Sequence, residues 1–296
     1  MTAPPLDQAI DRREDDPQWS SPPITDREFD EIKQIVYDRF GIVLTDQKRS
    51  LVVGRLQKIL REKRFPTYSH YLTYLKNDAS GQAISDLVNR ISTNHTFFFR
   101  EKAHFEYLSA QVLPEITQAM KKQNVRDLRF WCAACASGEE SYTLTMLLLE
   151  FFGPEYSSWD AGLLATDISL QALSFAQRGV YPYERISQVP PALRNKYFHK
   201  AVEDTYAIAD SLKKEITFRR FNLMNERFPF KKPFHIIFCR NVMIYFDQET
   251  RNTLIRKFYD LLVPGGYLFV GHSETVNRTV VPFEYVMPAV FRKGVV

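Results

Sequence analysis

The alternation of apolar and polar positions divides the chain into two regimes. From Ile24 to about Ser92, apolar residues recur at three- and four-residue spacing, in Phe29, Ile32, Ile35 and Val36 and again in Leu51, Val52, Leu56, Ile59 and Leu60. That period puts an apolar stripe along one face of successive helices. Thr25, with Glu28 three residues later, predicts a capping box, and Gly41 predicts the end of the first helix. A third helix is expected from about Thr67 to Lys76 and a fourth from Gln82 to Ile91. Such a bundle has no sheet crevice for a nucleotide, so recognition is its expected task.

From about Asp127 short apolar runs alternate with amphipathic helices, the signature of a parallel sheet wound with helices. Arg129 to Ala133 reads as the first strand, Gly138 to Phe152 as a helix, Ala161 to Thr166 as a strand and Leu170 to Arg178 as a helix. The rhythm breaks between Gly179 and Phe218, where alternation around Tyr206 to Ala209 and the stretch LKKEITFRR suggest a small antiparallel insertion. It resumes with Phe234 to Cys239, a helix from Gln248 to Leu262, a VPGG turn, a strand from Tyr267 to Gly271 and a last strand near Val290 to Lys293. The expected organisation is a leader at 1–23, a helical domain at 24–92, a connector and helix at 93–126, and an α/β domain at 127–296 with its insertion at about 180–218.

Composition adds exclusions. With 45% hydrophobic and 25% charged residues the chain is globular in type. No apolar run approaches the roughly 18 residues of a membrane span, and the Pro-, Ser- and acid-rich start lacks the layout of a signal peptide. Three cysteines make no disulfide framework, which agrees with a reducing cytoplasm. Cys132 and Cys135 form a CxxC, but no second ligand pair completes a zinc site, so they read as buried small residues and no metal is expected. The net charge of +4 is modest, yet Asp46 to Arg64 carries Lys48, Arg49, Arg55, Lys58, Arg61, Lys63 and Arg64 against only Asp46 and Glu62. A basic helix implies an acidic partner.

Four segments carry candidate chemistry. In WCAACASGEE, small residues let the backbone approach a ligand at a helix N-terminus, while Glu139 and Glu140 would repel a pyrophosphate and attract a cation. Both glutamates also complement the helix dipole, so this turn alone leaves two readings open. LLATDIS places Asp167 where an acid takes ribose hydroxyls, or where it caps the next helix. In FHIIFCRNVMIYF a buried strand runs into Arg240 and Asn241 at the expected crevice, and Tyr245 offers a hydroxyl to it or packs as a core aromatic. STNHTFFFRE, between the two regimes, is too apolar for a solvated linker, and its Arg100 has the planar fork that suits a carboxylate.

Together with FGIVLTDQKRSLVVGRL, FNLMN and LFVGHSE, these segments resemble the chemotaxis receptor methyltransferases, the CheR family, from about Ile24 to the end. The resemblance implies a Rossmann-like methyltransferase sheet and S-adenosylmethionine as methyl donor, with S-adenosylhomocysteine as product. It implies donor contacts from Asn94, Thr96, Arg100, Glu140 ahead of Glu139, Asp167, Asn222, Leu223, Arg240 and Asn241, and catalytic roles for Arg100 and Tyr245. It further implies that Lys48, Arg49, Arg55, Lys58 and Arg61 dock on the acidic methylation helices of receptors in the cytoplasm. Some members grip a receptor tether peptide through a glycine-rich loop in the insertion; here KAVEDTYAIADSLKKEITF has no glycine, so no tether is expected. A nucleic-acid substrate is disfavoured, because the acidic-proline-aromatic motif of amino-directed DNA methyltransferases and any aromatic, basic base-stacking platform are missing. A scaffold that has lost catalysis is disfavoured by the intact Arg100 and Tyr245.

Overall fold

A computed structural model describes residues 22–92 and 95–295. The expected leader, apart from its last two residues, lies outside the described residues, as does Asn94. Four helices open the described chain: α1 (Asp26–Phe40), α2 (Arg49–Lys63), α3 (Tyr68–Asn77) and α4 (Gln82–Ile91). The capping box forms, with Glu28 N–H donating to Thr25 Oγ1 at 3.2 Å and Thr25 N–H to Glu28 Oε2 at 3.0 Å. Gly41 ends α1 at φ 67°, where its N–H reaches the Tyr37 carbonyl. Ile32, Val36, Leu56, Leu60, Tyr68 and Leu87 bury the facing stripes.

The bundle is fastened to the sheet unit immediately after α1. Val43 N–H donates to the Tyr245 carbonyl at 2.8 Å, Ile42 bridges Phe246, and the Tyr37 hydroxyl donates to Asp247 at 2.7 Å. A side chain on Gly41 would overlap the Met224 sulfur, so glycine sets how closely the units approach. The connector then leads into α5 (Lys102–Tyr107), which runs through a π-helical turn, Leu108–Val112, into α6 (Leu113–Lys122).

The elements that follow are β1 (Phe130–Ala133), α7 (Glu139–Phe152), β2 (Leu163–Asp167), α8 (Leu170–Arg178), β3 (Val180–Pro182), α9 (Tyr183–Ile186), α10 (Pro191–Tyr197), β4 (Phe198–Lys200), β5 (Thr205–Ile208), α11 (Asp210–Lys213) and β6 (Ile216–Arg220). After them come β7 (Phe234–Cys239), α12 (Gln248–Leu261), β8 (Leu262–Phe269), β9 (Phe283–Met287) and β10 (Val290–Lys293). The main sheet has the order β6-β2-β1-β7-β8-β10-β9, parallel through β8 and antiparallel beyond it. The strand order reverses between β1 and β7, whose residues are buried throughout. In such sheets a ligand binds beyond the strand tips at this reversal.

Two expectations need correction. LKKEITFRR does not belong to the antiparallel insertion: Ile216–Arg220 is the edge strand of the main sheet, parallel to β2. Its alternating burial suits a sheet edge as well as a hairpin, so the local pattern could not choose between them. The insertion itself is the three-stranded sheet β3-β5-β4. VPGG is no free turn either, because β8 runs through it with a register shift opposite Phe234 and Ile236. The edge strand β9, of mixed burial, was not anticipated.

His235, buried in β7, accepts a hydrogen bond on Nδ1 from Arg129 N–H at 3.1 Å. Burial, reinforced by the Arg129 charge, holds its imidazole down to about 4 from an ordinary 6.5. The folded state therefore binds this proton more weakly than the unfolded chain does. The contribution is present above pH 6.5 and lost as pH falls through 4, up to about 3 kcal/mol. His235→Asn, which keeps an acceptor near Nδ1, is expected to flatten that part of the loss, as read from urea midpoints between neutral and acid pH.

Candidate active site

The first βα turn is built for close backbone approach. Ala134 and Ala136 stand at φ 62° and 46° and Gly138 at 96°, left-handed conformations that bulky side chains avoid. A Cβ on Gly138 would sit 2.8 Å from that of Ala176. Asp167, at the tip of β2, fastens this turn: Ala136 N–H donates to its Oδ2 at 2.8 Å and Ser169 N–H to its Oδ1 at 2.8 Å. The cap of α8 is Ser169, not Asp167, since Ala172 N–H bonds the serine hydroxyl. Burial raises the Asp167 carboxyl above its usual range, and the two N–H groups partly offset this.

The paired glutamates point to different places. Glu139 is fully buried, pairs with Arg185 of α9 and accepts from Ser137 Oγ at 2.7 Å, away from the cavity over the sheet. Glu140 lines that cavity and pairs with Arg240 Nη1 at 2.8 Å. Burial raises the Glu140 carboxyl, with Arg240 opposing. The Arg240 guanidinium has no exposed side-chain surface; Nη2 donates to Glu101 Oε2 at 2.9 Å and to the Arg100 carbonyl. Asn241, at φ 58°, directs Nδ2 to Glu101 Oε1 at 3.3 Å. Arg240 and Asn241 thus border the cavity while much of their hydrogen bonding is spent on Glu101 and Glu140.

Thr96 and Arg100 of the connector line the same cavity, Arg100 with Nη1 on the His95 carbonyl at 3.0 Å and its guanidinium 5.7 Å from the Phe97 ring centre. Asn222 and Leu223 follow β6 into it; the Asn222 amide donates to the Arg39 carbonyl at 2.8 Å and accepts from Met224 N–H at 3.0 Å. Tyr245 completes the group. Phe40, Ile42, Ser92, Phe221, Val242 and Phe246 also line the cavity and were not anticipated. The bundle is therefore a wall of this site, and Ile42 within FGIVL was the sequence mark of that contact.

Glu274 is the other unanticipated residue, although its GHSE motif stood out. Its buried carboxylate accepts from the N–H groups of Gly271 at 2.5 Å, Asn241 at 2.9 Å and Met243 at 2.6 Å, holding the loop from Asn241 to Tyr245. Burial raises this carboxyl against the three N–H groups. Glu274→Ala leaves those donors unpaired, at about 1–3 kcal/mol each before relaxation. We expect a stability loss of about 2–4 kcal/mol in urea unfolding.

The three cysteines are free and buried, and burial pushes their thiols well up, so CxxC offers neither a nucleophile nor a thiolate ligand. Of the basic positions, Lys48, Lys58 and Arg61 are exposed, and the Lys48 ammonium lies 5.5 Å over the Tyr245 ring. Arg49 pairs with Asp26 and lies over Phe29, and Arg55 donates to the Ile91 carbonyl, so these two also serve the bundle.

Residues 27–92 match the family described as CheR methyltransferase, all-alpha domain, and residues 94–290 match CheR methyltransferase, SAM binding domain. The chain belongs to the CheR methyltransferase family. A chemotaxis protein methyltransferase of Borreliella burgdorferi is 42% identical over 273 residues, covering 92% of this chain and 95% of that one. That of Escherichia coli K12 is 35% identical over 258 residues, covering 86% of each. The enzyme is accordingly an S-adenosylmethionine-dependent methyltransferase of chemotaxis. Its cavity suits that donor, with Glu140 as an anion for an ammonium group, Asp167 at the tip of β2, and an apolar wall from Phe40, Phe221, Leu223 and Phe246. No described helix is long and apolar enough to cross a membrane.

Proposed function

We propose that the enzyme esterifies glutamate side chains on the methylation helices of chemotaxis receptors, in the cytoplasm, and releases S-adenosylhomocysteine. The observation that carries this is the shared cavity wall of Arg100, Tyr245 and Glu140, with Lys48 of the basic segment lying on the Tyr245 ring. A guanidinium at the cavity, Lys48 over the Tyr245 ring at its rim, and the exposed Lys58 and Arg61 further along α2 suit an acidic helix that delivers one carboxylate. The helical domain at 24–92 recognises the receptor, the connector at 93–126 carries Arg100 to the cavity, and the domain at 127–296 holds the donor.

S-adenosylmethionine supplies a methyl group activated by its sulfonium. Glu140 takes the ammonium of its methionine part, Asp167 the ribose hydroxyls, and Asn222 and Leu223 flank the adenine. Thr96 adds a contact, while Arg240 and Asn241 keep Glu140 and Glu101 in place. A glutamate acceptor is already ionised near neutral pH, so no general base is required. Arg100 and Tyr245 act by fixing the attacking oxygen in line, where positioning supplies the rate. The link between β4 and β5 is a tight turn, with Ala201 N–H donating to the Thr205 carbonyl, and is free of glycine. We therefore assign no tether peptide to it.

The test is incubation with methyl-labelled donor and a receptor cytoplasmic fragment. Label released as methanol in mild base, and missing from a fragment whose methylation-site glutamates are replaced by alanine, supports the proposal. Base-stable label, or label entering DNA or RNA instead, overturns it.

A further inference from the structure

Beside the buried Arg240, three side chains converge: Glu101, the residue before α5, His104 three residues later in the first turn of that helix, and His272 from the distant loop after β8. We propose that Glu101, His104 and His272 form a binding site for a divalent transition-metal ion of the zinc class. It is independent of which acceptor the enzyme methylates.

The geometry is close to a three-ligand site. His104 Nδ1 lies 3.5 Å and His272 Nε2 4.0 Å from Glu101 Oε2, and the candidate ligand atoms all fall within 4.8 Å of one another. Tetrahedral zinc with bonds of about 2.0–2.2 Å holds its ligands roughly 3.3–3.5 Å apart. Only a modest inward movement of His272 is needed, and its side chain is 50% exposed on a loop. The two imidazole rings are 4.7 Å apart and nearly perpendicular, at 86°.

His104 supplies the second, independent observation. Its side chain is fully buried, yet Nδ1, on the side of Glu101, has no hydrogen-bond partner. Buried polar atoms are normally satisfied, so an orphan of this kind calls for a ligand. On the opposite side of the ring, Nε2 lies 3.4 Å from the Pro288 carbonyl. That contact favours the tautomer with the proton on Nε2 and a lone pair on Nδ1, the support a metal-bound histidine commonly has. Glu101 is braced in turn by Asn241 Nδ2 and Arg240 Nη2.

Two imidazoles and one carboxylate select zinc, cobalt, nickel or copper over magnesium and calcium, which prefer all-oxygen shells. The Arg240 charge does not forbid a cation, because Glu101 and Glu140 both lie against it. A metal on Glu101 competes with Arg240 for the same carboxylate and so couples to Glu140 at the donor cavity. Whatever change zinc makes in S-adenosylhomocysteine affinity must be matched by the change that ligand makes in zinc affinity.

The experiment is calorimetric titration of zinc chloride into the chelator-treated full chain, with a chelator competition as a second reading. We expect one zinc per chain, lost in His272→Ala with circular dichroism and S-adenosylhomocysteine binding in metal-free buffer unchanged, and restored in His272→Cys, where a thiolate replaces the imidazole. The buried cysteines cannot mimic this pattern, since both variants keep them. Failure of the wild-type chain to take up zinc, or equal uptake by His272→Ala, overturns the site, as does failure of the cysteine variant to restore it.

Discussion

Arg240→Ala is expected to destabilise the enzyme by about 3–5 kcal/mol and to weaken S-adenosylhomocysteine binding at least about tenfold. Its guanidinium lies wholly inside the protein between Glu140 and Glu101, with the Phe105 ring 5.3 Å away. Burial works to raise the Glu101 carboxyl, but Arg240 and the Asn241 amide hold it below the usual range. Removing the cation leaves two inward-facing carboxylates without their shared partner, and each must take up a proton or draw in water. Arg240→Met separates volume from charge: it fills most of the space but leaves the carboxylates uncompensated, so it should recover only a minor part of the loss. Adding Glu140→Gln to Arg240→Met should recover more stability, because one buried charge disappears with its partner, while ligand affinity stays low. Urea unfolding and calorimetry on the four proteins check this. An unchanged unfolding midpoint for Arg240→Ala would show that the pair is screened by solvent.

The second large effect is kinetic. Arg100→Ala is expected to lower methyl-ester formation about 10²–10³-fold, with a smaller change in S-adenosylhomocysteine affinity. Arg100 borders the cavity, with one nitrogen on the His95 carbonyl and the guanidinium over Phe97. That anchoring orients a planar fork toward which a carboxylate can be drawn with both oxygens defined. Arg100→Lys keeps the charge and loses the fork, so it should restore only part of the rate. Tyr245→Phe should cost less than Arg100→Ala, because only one hydroxyl is removed. Initial rates with a receptor fragment, with donor affinity measured separately, decide the matter. Full turnover in Arg100→Ala would remove the arginine from the reaction.

Much of this architecture could be read locally. The spacing of Phe29, Ile32 and Val36, the Thr25 and Glu28 cap, and the closing Gly41 are short-range signals, and α1 follows them. Leu170–Arg178 and Gln82–Ile91 likewise begin and end where their periodicity does. FHIIFC, apolar except for His235, reads as a strand covered on both faces, and β7 lies at the centre of the sheet. The edge strand β6 was misplaced into the insertion because alternation reports one buried face and not the identity of the neighbouring strand.

The site shows the same division. The residue types already called for a positively charged ligand at the first strand tip, an anionic acceptor at Arg100 of the connector and an acidic partner for the basic segment of α2, because side-chain charge and hydrogen-bonding capacity belong to the residue itself. Only the folded chain turned Glu139 toward Arg185 and Glu140 toward the cavity, enclosed Arg240 between two acids, and set Glu274 beneath the loop of Asn241. It also made the helical bundle a wall of the cavity and brought His272 to Glu101 and His104. These outcomes depend on contacts between residues far apart in sequence. Backbone register and packing select them, and the local pattern of apolar and polar residues carries no record of them.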